Sequence, residues 1–158
     1  MNTKFKSATD FRKSLEARLQ LLATKTGEDL QRLRRKVAFD RFLARVFAQE
    51  KPEFYLKGGY AMELRVKAAR ATKDIDLTCI RRVRDPGHLL SHIILNDLQS
   101  FARIDLNDHF VYQVGPAQID LENAPYGGAR YPVSSLIDGK IFVRFQLDVG
   151  ADFLLDQV

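Results

Sequence analysis

Cysteine is almost absent from this 158-residue chain, with Cys79 standing alone. A single thiol excludes an internal disulfide framework and a multi-cysteine zinc site. Long apolar runs are missing as well, and none approaches the roughly 18 residues that a membrane span requires. The opening residues, Met1 to Lys6, lack the apolar stretch of a secretory signal. Proline is scarce at five residues, and 28% charged with 46% hydrophobic residues is not the composition of a disordered chain. There is no internal repeat, low-complexity tract or Pro/Ser-rich linker at which to draw a boundary. A single domain over 1–158 with one hydrophobic core is expected, soluble and cytoplasmic, with no use for a membrane.

Charge is present but unevenly spread. Residues 1–70 carry 17 Lys and Arg against 8 Asp and Glu, whereas residues 71–158 carry 8 against 12, within an overall net charge of +5. A basic first half beside an acidic second half suggests an anionic partner, with carboxylates kept for other work. Metal-assisted chemistry on phosphates fits that division. So does a chain whose helices carry the lysines and whose loops carry the aspartates.

Hydrophobic spacing predicts a helix over 8–23, with Phe11, Leu15, Leu19 and Leu22 on one stripe and Gly27 as its breaker. A second helix is expected from Glu28 to about Gln49, buried through Leu30, Leu33, Val37, Phe39, Leu43, Val46 and Phe47. Between residues 31 and 45 it carries Arg32, Arg34, Arg35, Lys36, Arg41 and Arg45 against one acid, Asp40. Such a face can bind nucleic-acid phosphates, but no aromatic residue interleaves for base stacking, and a solvated helix surface is the favoured reading.

Beyond Pro52 the pattern shortens. Glu53–Lys57 reads as a strand that ends at Gly58-Gly59, residues 61–67 as a short helix, and Asp74–Ile80 as an alternating strand. Asp85-Pro86 opens a helix to about Ala102. Strands follow at 110–114 and 118–121, and Asp138-Gly139 between 133–137 and 140–148 is a strong hairpin signal. The N-terminal part, 1–51, is thus helical, and 52–158 contains the sheet. The layout is α+β: an N-terminal helical pair and further helices against a mixed, largely antiparallel sheet.

Three features carry chemistry. The Gly58-Gly59 turn between a strand and a helix lets a phosphate approach the backbone. Asp74 and Asp76, two apart on a strand, project from one face while Ile75 and Leu77 enter the core. Two carboxylates held so close repel unless a cation lies between them, and their oxygens suit magnesium. Asp148 lies on the polar face of the last strand. Were that strand beside the Asp74–Ile80 strand, three carboxylates would meet on one surface, enough for two metal ions. Elsewhere, His88 and His92 read as structural or solvated, Cys79 as a buried small hydrophobe, and Arg130 as an unranked phosphate contact.

Residues 56–65, Leu-Lys-Gly-Gly-Tyr-Ala-Met-Glu-Leu-Arg, followed by Arg70-Ala-Thr-Lys-Asp-Ile-Asp-Leu77, closely resemble the signature of the AbiEii/AbiGii-type nucleotidyltransferase toxins, in the polymerase-beta-like nucleotidyltransferase superfamily. The resemblance extends to Gly128–Val133 and Phe142–Gly150 and covers roughly residues 30 to 152. It implies a nucleotidyltransferase fold and transfer of a nucleoside monophosphate from an NTP to a hydroxyl, with release of pyrophosphate. It further implies that Asp74, Asp76 and Asp148 are catalytic and ligate Mg2+ in a two-metal site, Asp148 as third ligand or as base. Gly58 and Gly59 would hold the nucleotide phosphates, with Lys57, Arg65, Arg70 and Lys73 as surrounding cations. The implied acceptor is RNA, including a tRNA end, or a protein. The implied role is toxin of a toxin–antitoxin pair or abortive-infection phage defence, with a cognate antitoxin.

Members of that family usually continue past the third carboxylate into a helical C-terminal region. A chain that stops at Val158 is therefore expected to be a shortened form lacking it. Two alternatives stay open: a nucleotidyltransferase acting on a small molecule such as an antibiotic or metabolite, and a truncated, non-catalytic nucleotide-binding module.

Overall fold

Helix α1 (Ala8–Thr26) starts where extended Ser7 turns its hydroxyl to accept the Asp10 N–H at 3.1 Å, and it stops where Gly27 takes a left-handed φ of 75°. The computed structural model in which these elements are seen describes residues 7–48, 53–57, 73–80, 90–120 and 128–152. Helix α2 (Leu30–Val46) is capped by the Asp29 carboxylate, which accepts the Arg32 N–H at 3.0 Å. It begins two residues later than the sequence suggests, because Asp29 serves as cap and leaves Glu28 outside. Helix α3 (Leu90–Ala102) is the later part of the helix expected from Asp85-Pro86, whose beginning lies outside the described residues. So does the short helix expected at 61–67.

The strands are β1 (Phe54–Lys57), β2 (Asp74–Ile80), β3 (Phe110–Val114), β4 (Ile119–Asp120), β5 (Gly128–Ile137) and β6 (Lys140–Asp152). They lie in the order β1-β2-β6-β5-β3, with β4 paired to β5. Among the described strands the β2·β6 pair alone is parallel, and the others are antiparallel. The sheet is therefore mixed and largely antiparallel, as expected. Strand β5 runs five residues further toward its N-terminus than the 133–137 segment read from the sequence. Gly128 is its first residue.

One face of the sheet is covered. Ile75, Leu77, Cys79, Tyr131, Val133, Val143, Phe145, Leu147 and Val149 are buried on it, beneath Phe39 and Phe42 of α2 and Ile94 and Leu98 of α3. Phe39 and Phe42 meet Phe145 edge-on at 5.0 and 5.8 Å between ring centroids. The Tyr112 hydroxyl donates to Ala38 O at 2.6 Å, and that of Tyr131 donates to Ser91 O at 2.8 Å, so buried phenols also tie sheet to helices. Each such ring contributes about 1.5–3 kcal/mol by leaving water.

Helix α1 adds little to this core. Leu19 is buried and Phe11 and Leu15 pack at its edge, but Leu22, expected inside, is 42% exposed. The stripe of α2 is likewise shifted. Phe42 is fully buried, whereas Phe47, past the end of the helix, is exposed.

The basic face of α2 is not a solvated surface. Arg45 is completely buried, with Nη1 and Nη2 donating to the two oxygens of buried Asp108 at 2.9 and 2.8 Å. Arg41 Nε reaches the same carboxylate at 2.8 Å. Arg34 pairs with Glu16 of α1 at 2.6 Å, and Lys36 with Glu28 at 3.6 Å. These cations fasten α2 to α1 and to the segment before β3.

A further departure sits in the β5·β6 hairpin. Asp138 and Gly139 both have positive φ, 57° and 70°, the two-residue turn that the Asp-Gly pair favours. The register then slips between Ser135 and Leu136: Leu136 faces Ile141 but Ser135 faces Val143, leaving Phe142 as the extra residue of a bulge. Ile141 is turned outward and is 48% exposed, while Phe142 packs edge-on against Phe110 at 5.7 Å.

Candidate active site

The face of the sheet away from α2 and α3 carries the polar residues of β2, β5 and β6. Alternation places Asp74 and Asp76 there, because Ile75 and Leu77 between and after them fill the core. The parallel β2·β6 register sets Asp76 opposite Asp148, and Asp74 opposite Gln146. The adjacency that the sequence alone leaves open is thereby established. The same row continues on both sides: Lys57 of β1 stands across from Asp76, and Arg130 of β5 across from Asp148.

Arg130 grips Asp148 with both arms of its fork, Nε to Oδ1 at 2.6 Å and Nη2 to Oδ2 at 3.0 Å. This is the bidentate, charge-assisted geometry for which guanidinium is suited. Hydrogen bonding to Asp148, and then its charge, raise the affinity of Arg130 for its proton further, with Asp74 and Asp76 adding to the effect. Asp74 feels the opposite environment. Burial first, then the negative charge of Asp148, push its carboxyl above the ordinary range, outweighing Arg130, a Gln146 backbone hydrogen bond and Lys73.

Beside Asp74, where β6 runs on past the start of β2, the surface opens into a groove of about 430 Å³. Three cations line it, Arg35 of α2, Lys73 and Arg144 of β6, together with Asp74, Gln118 and Gln146. Arg35 Nε and Gln146 Oε1 are out of solvent contact and make no hydrogen bond among the described residues. Buried polar atoms of this kind are costly unless a partner satisfies them.

The sequence-predicted residues thus divide. Asp74, Asp76 and Asp148 share one face, Lys57 shares their row, and Lys73 lines the adjoining groove. Gly58, Gly59, Arg65 and Arg70 lie outside the described residues, as does His88; His92 is exposed. Arg130, Arg35 and Arg144 are the residues that sequence reasoning underrated. In the sequence Arg130 is an unranked phosphate contact and Arg35 one cation of a basic helix, while Arg144 shares the polar face of β6 with Asp148.

As they stand, no three carboxylate, imidazole or thiol side chains among the described residues converge closely enough to hold a cation. The donor chemistry nevertheless fits a hard divalent ion: two carboxylates on one strand and a third directly across, with Asp74 and Asp148 repelling each other. Both oxygens of Asp148 are engaged by Arg130.

A mixed sheet with two aspartates on one strand and a third on the parallel neighbour is an architecture suited to moving phosphoryl-containing groups. The family comparison gives the particular case. The model of the AbiEii nucleotidyl transferase toxin family, of type IV toxin–antitoxin systems, matches residues 41–156, and the chain belongs to that family. It is accordingly a nucleotidyltransferase of toxin type, with a nucleotide as substrate and an antitoxin as the partner its family suggests. A search of curated proteins finds no match. Among the described residues, no helix is long and apolar enough to cross a membrane.

Proposed function

We propose that this chain transfers a nucleoside monophosphate from an NTP to a hydroxyl of RNA, the end of a tRNA included, and so acts as a cytoplasmic toxin held in check by a cognate antitoxin or released in abortive infection. The observation that carries this reading is the row Asp76–Asp148 with Asp74 on the same face, opening directly into a groove lined by three cations. Asp74, Asp76 and Asp148 would hold Mg2+, in a two-ion arrangement. Bound there, the ions supply charge neutralisation on the α-phosphate and activation of the attacking hydroxyl.

The residues of the chain do the rest. Gly58 and Gly59, having no side chains, would let the β- and γ-phosphates approach the backbone, and Lys57, Arg65 and Arg70 would balance their charge. The acceptor strand enters along the groove, its phosphates met by Lys73, Arg35 and Arg144. The acceptor oxygen attacks the α-phosphorus, its proton passes to a carboxylate of the row, and the bond to the bridging oxygen breaks to release pyrophosphate. An open, cation-lined groove matches a phosphodiester chain better than a small neutral acceptor.

The test uses the chain with Mg2+ and each α-labelled NTP in turn, with total RNA or a protein extract as acceptor and an Asp74→Ala/Asp76→Ala variant alongside. Label in RNA from the wild type and none from the variant supports the reading. Label only in protein or in a small molecule replaces the acceptor. Binding of Mg2+–NTP without any product, across all acceptors, replaces the enzyme by a binding module.

A further inference from the structure

Three carboxylates within two adjacent rows of one sheet face would repel strongly in the absence of a cation. The chain supplies one itself. Arg130 comes from the strand on the far side of β6 and takes both oxygens of Asp148, at 2.6 and 3.0 Å. The pair is not isolated in the interior, since the two side chains are 33% and 16% exposed, so exchange with a solvent ion is open to it. Asp148 has only two oxygens, and the fork engages both.

We propose that Arg130 is an exchangeable counter-ion: it holds Asp148 in the metal-free protein, and a divalent cation must displace it to complete the three-carboxylate site. The idea rests on the reading of Asp148 as third metal ligand. Its consequence is a threshold. Part of the binding free energy of the cation goes into breaking the Arg130–Asp148 fork, so Arg130 sets the concentration at which the site fills. Once released, the guanidinium remains on the same face, one strand from Asp148. Its next partner of matching geometry there is a phosphate oxygen pair on the substrate. Cation and anionic substrate would therefore bind with positive coupling, the one taking Asp148 from the fork and the other taking Arg130. Arg130 is on this account a positioning residue for Asp148.

The experiment measures Mn2+ binding by loss of the free-ion electron paramagnetic resonance signal. It compares wild type with Arg130→Gln, Arg130→Lys, Asp148→Asn, the Arg130→Gln/Asp148→Asn pair and Arg144→Gln, each first checked for a native circular dichroism spectrum and melt. Arg130→Gln is expected to bind Mn2+ about tenfold tighter, as suits loss of one partly exposed charge-assisted pair. Arg130→Lys, which keeps the charge but not the fork, falls between the two. In the Asp148→Asn background Arg130→Gln changes nothing, the signature of a direct coupling. Unchanged or weaker Mn2+ binding by folded Arg130→Gln overturns the proposal. So does an equal tightening in Arg144→Gln, which would mark a general field. If Asp148→Asn alone leaves Mn2+ affinity unaltered, the metal-ligand reading of Asp148 fails and takes the proposal with it. A loss of affinity in Asp148→Asn without a gain in Arg130→Gln overturns the counter-ion role alone.

Discussion

Replacing Arg45 by methionine preserves most of the side-chain length and removes the guanidinium from the middle of the protein. In the native chain that guanidinium makes five hydrogen bonds: two to Asp108, and one each to the carbonyls of Ile104, Arg41 and Phe110. Its face also stacks over Tyr112 at 4.9 Å. Asp108 is equally buried, so truncating Arg45 leaves a carboxylate out of water that, among the described residues, keeps Arg41 Nε at 2.8 Å and the Phe110 N–H at 3.1 Å. Breaking a buried pair from one side costs about 3–5 kcal/mol, because the remaining charge is uncompensated. For a domain of this size that corresponds to a fall in melting temperature of roughly 6–20 °C. Urea titration followed by far-ultraviolet circular dichroism is the assay, since the chain has no tryptophan.

The double variant Arg45→Met/Asp108→Asn removes the stranded charge as well and should cost clearly less than the two single changes added together. Asp108 also gives the experiment a pH arm. Burial alone would raise its pKa, but hydrogen bonds from Arg45 and Arg41, the charge of Arg45 and the Phe110 N–H overcome this and hold it below the usual carboxylate value. A depressed folded-state pKa contributes stability above the unfolded value, near 3.9, and that contribution disappears as pH falls through the folded one. Wild type should therefore lose stability below about pH 4 more steeply than Asp108→Asn. A single-variant cost under about 1 kcal/mol, or costs that simply add, would show that Arg45 and Asp108 are not the coupled pair their geometry describes.

Phe42→Ala should lower stability by about 3–5 kcal/mol with no change in Mn2+ binding, because the ring is fully buried against Tyr112 and Phe145, and the open face is untouched. Reversing charge in the groove with Arg35→Glu/Arg144→Glu should weaken RNA binding. It should also flatten the dependence of log affinity on log salt by about 0.7 for each phosphate no longer neutralised, read by filter binding. Deleting Phe142 should leave the β5·β6 pairs in their native register, because Val143 then follows Ile141 directly opposite Ser135, and should lower the thermal melt only by the lost packing of Phe142 on Phe110. A collapse of the fold far beyond the loss of one ring would mean that the register is not set by that extra residue.

Local chemistry made much of this fold legible. Ser7, Gly27, Asp29 and Asp138-Gly139 each act at the place where capping and turn preferences put them. The alternation of Asp74 to Ile80 gave the correct inward and outward faces. What could not be read locally were partners distant in sequence. A helical arginine counts as surface in any periodicity argument, and only Asp108, brought against α2 by the fold, turns Arg45 into a core residue. The parallel pairing of β2 with β6 is similarly non-local, and the row of aspartates depends on it.

The pairing of Arg130 with Asp148 lies between these cases. Counting back from the Asp138-Gly139 turn without an interruption sets Arg130 opposite Leu147 and Val133 opposite Arg144, polar against apolar. Such a register would bury one member of each pair wrongly, and both strands alternate too regularly for the mismatch to be local. One extra residue in β6 restores apolar to apolar, Val133 to Phe145 and Tyr131 to Leu147, and in the same step sets Arg130 opposite Asp148. The packing demand of the covered face thus fixes the electrostatics of the open one. An arginine that the core has no use for is delivered to the carboxylate that the proposed chemistry needs most. Register and reactivity in this protein therefore share one physical cause, the bulge at Phe142.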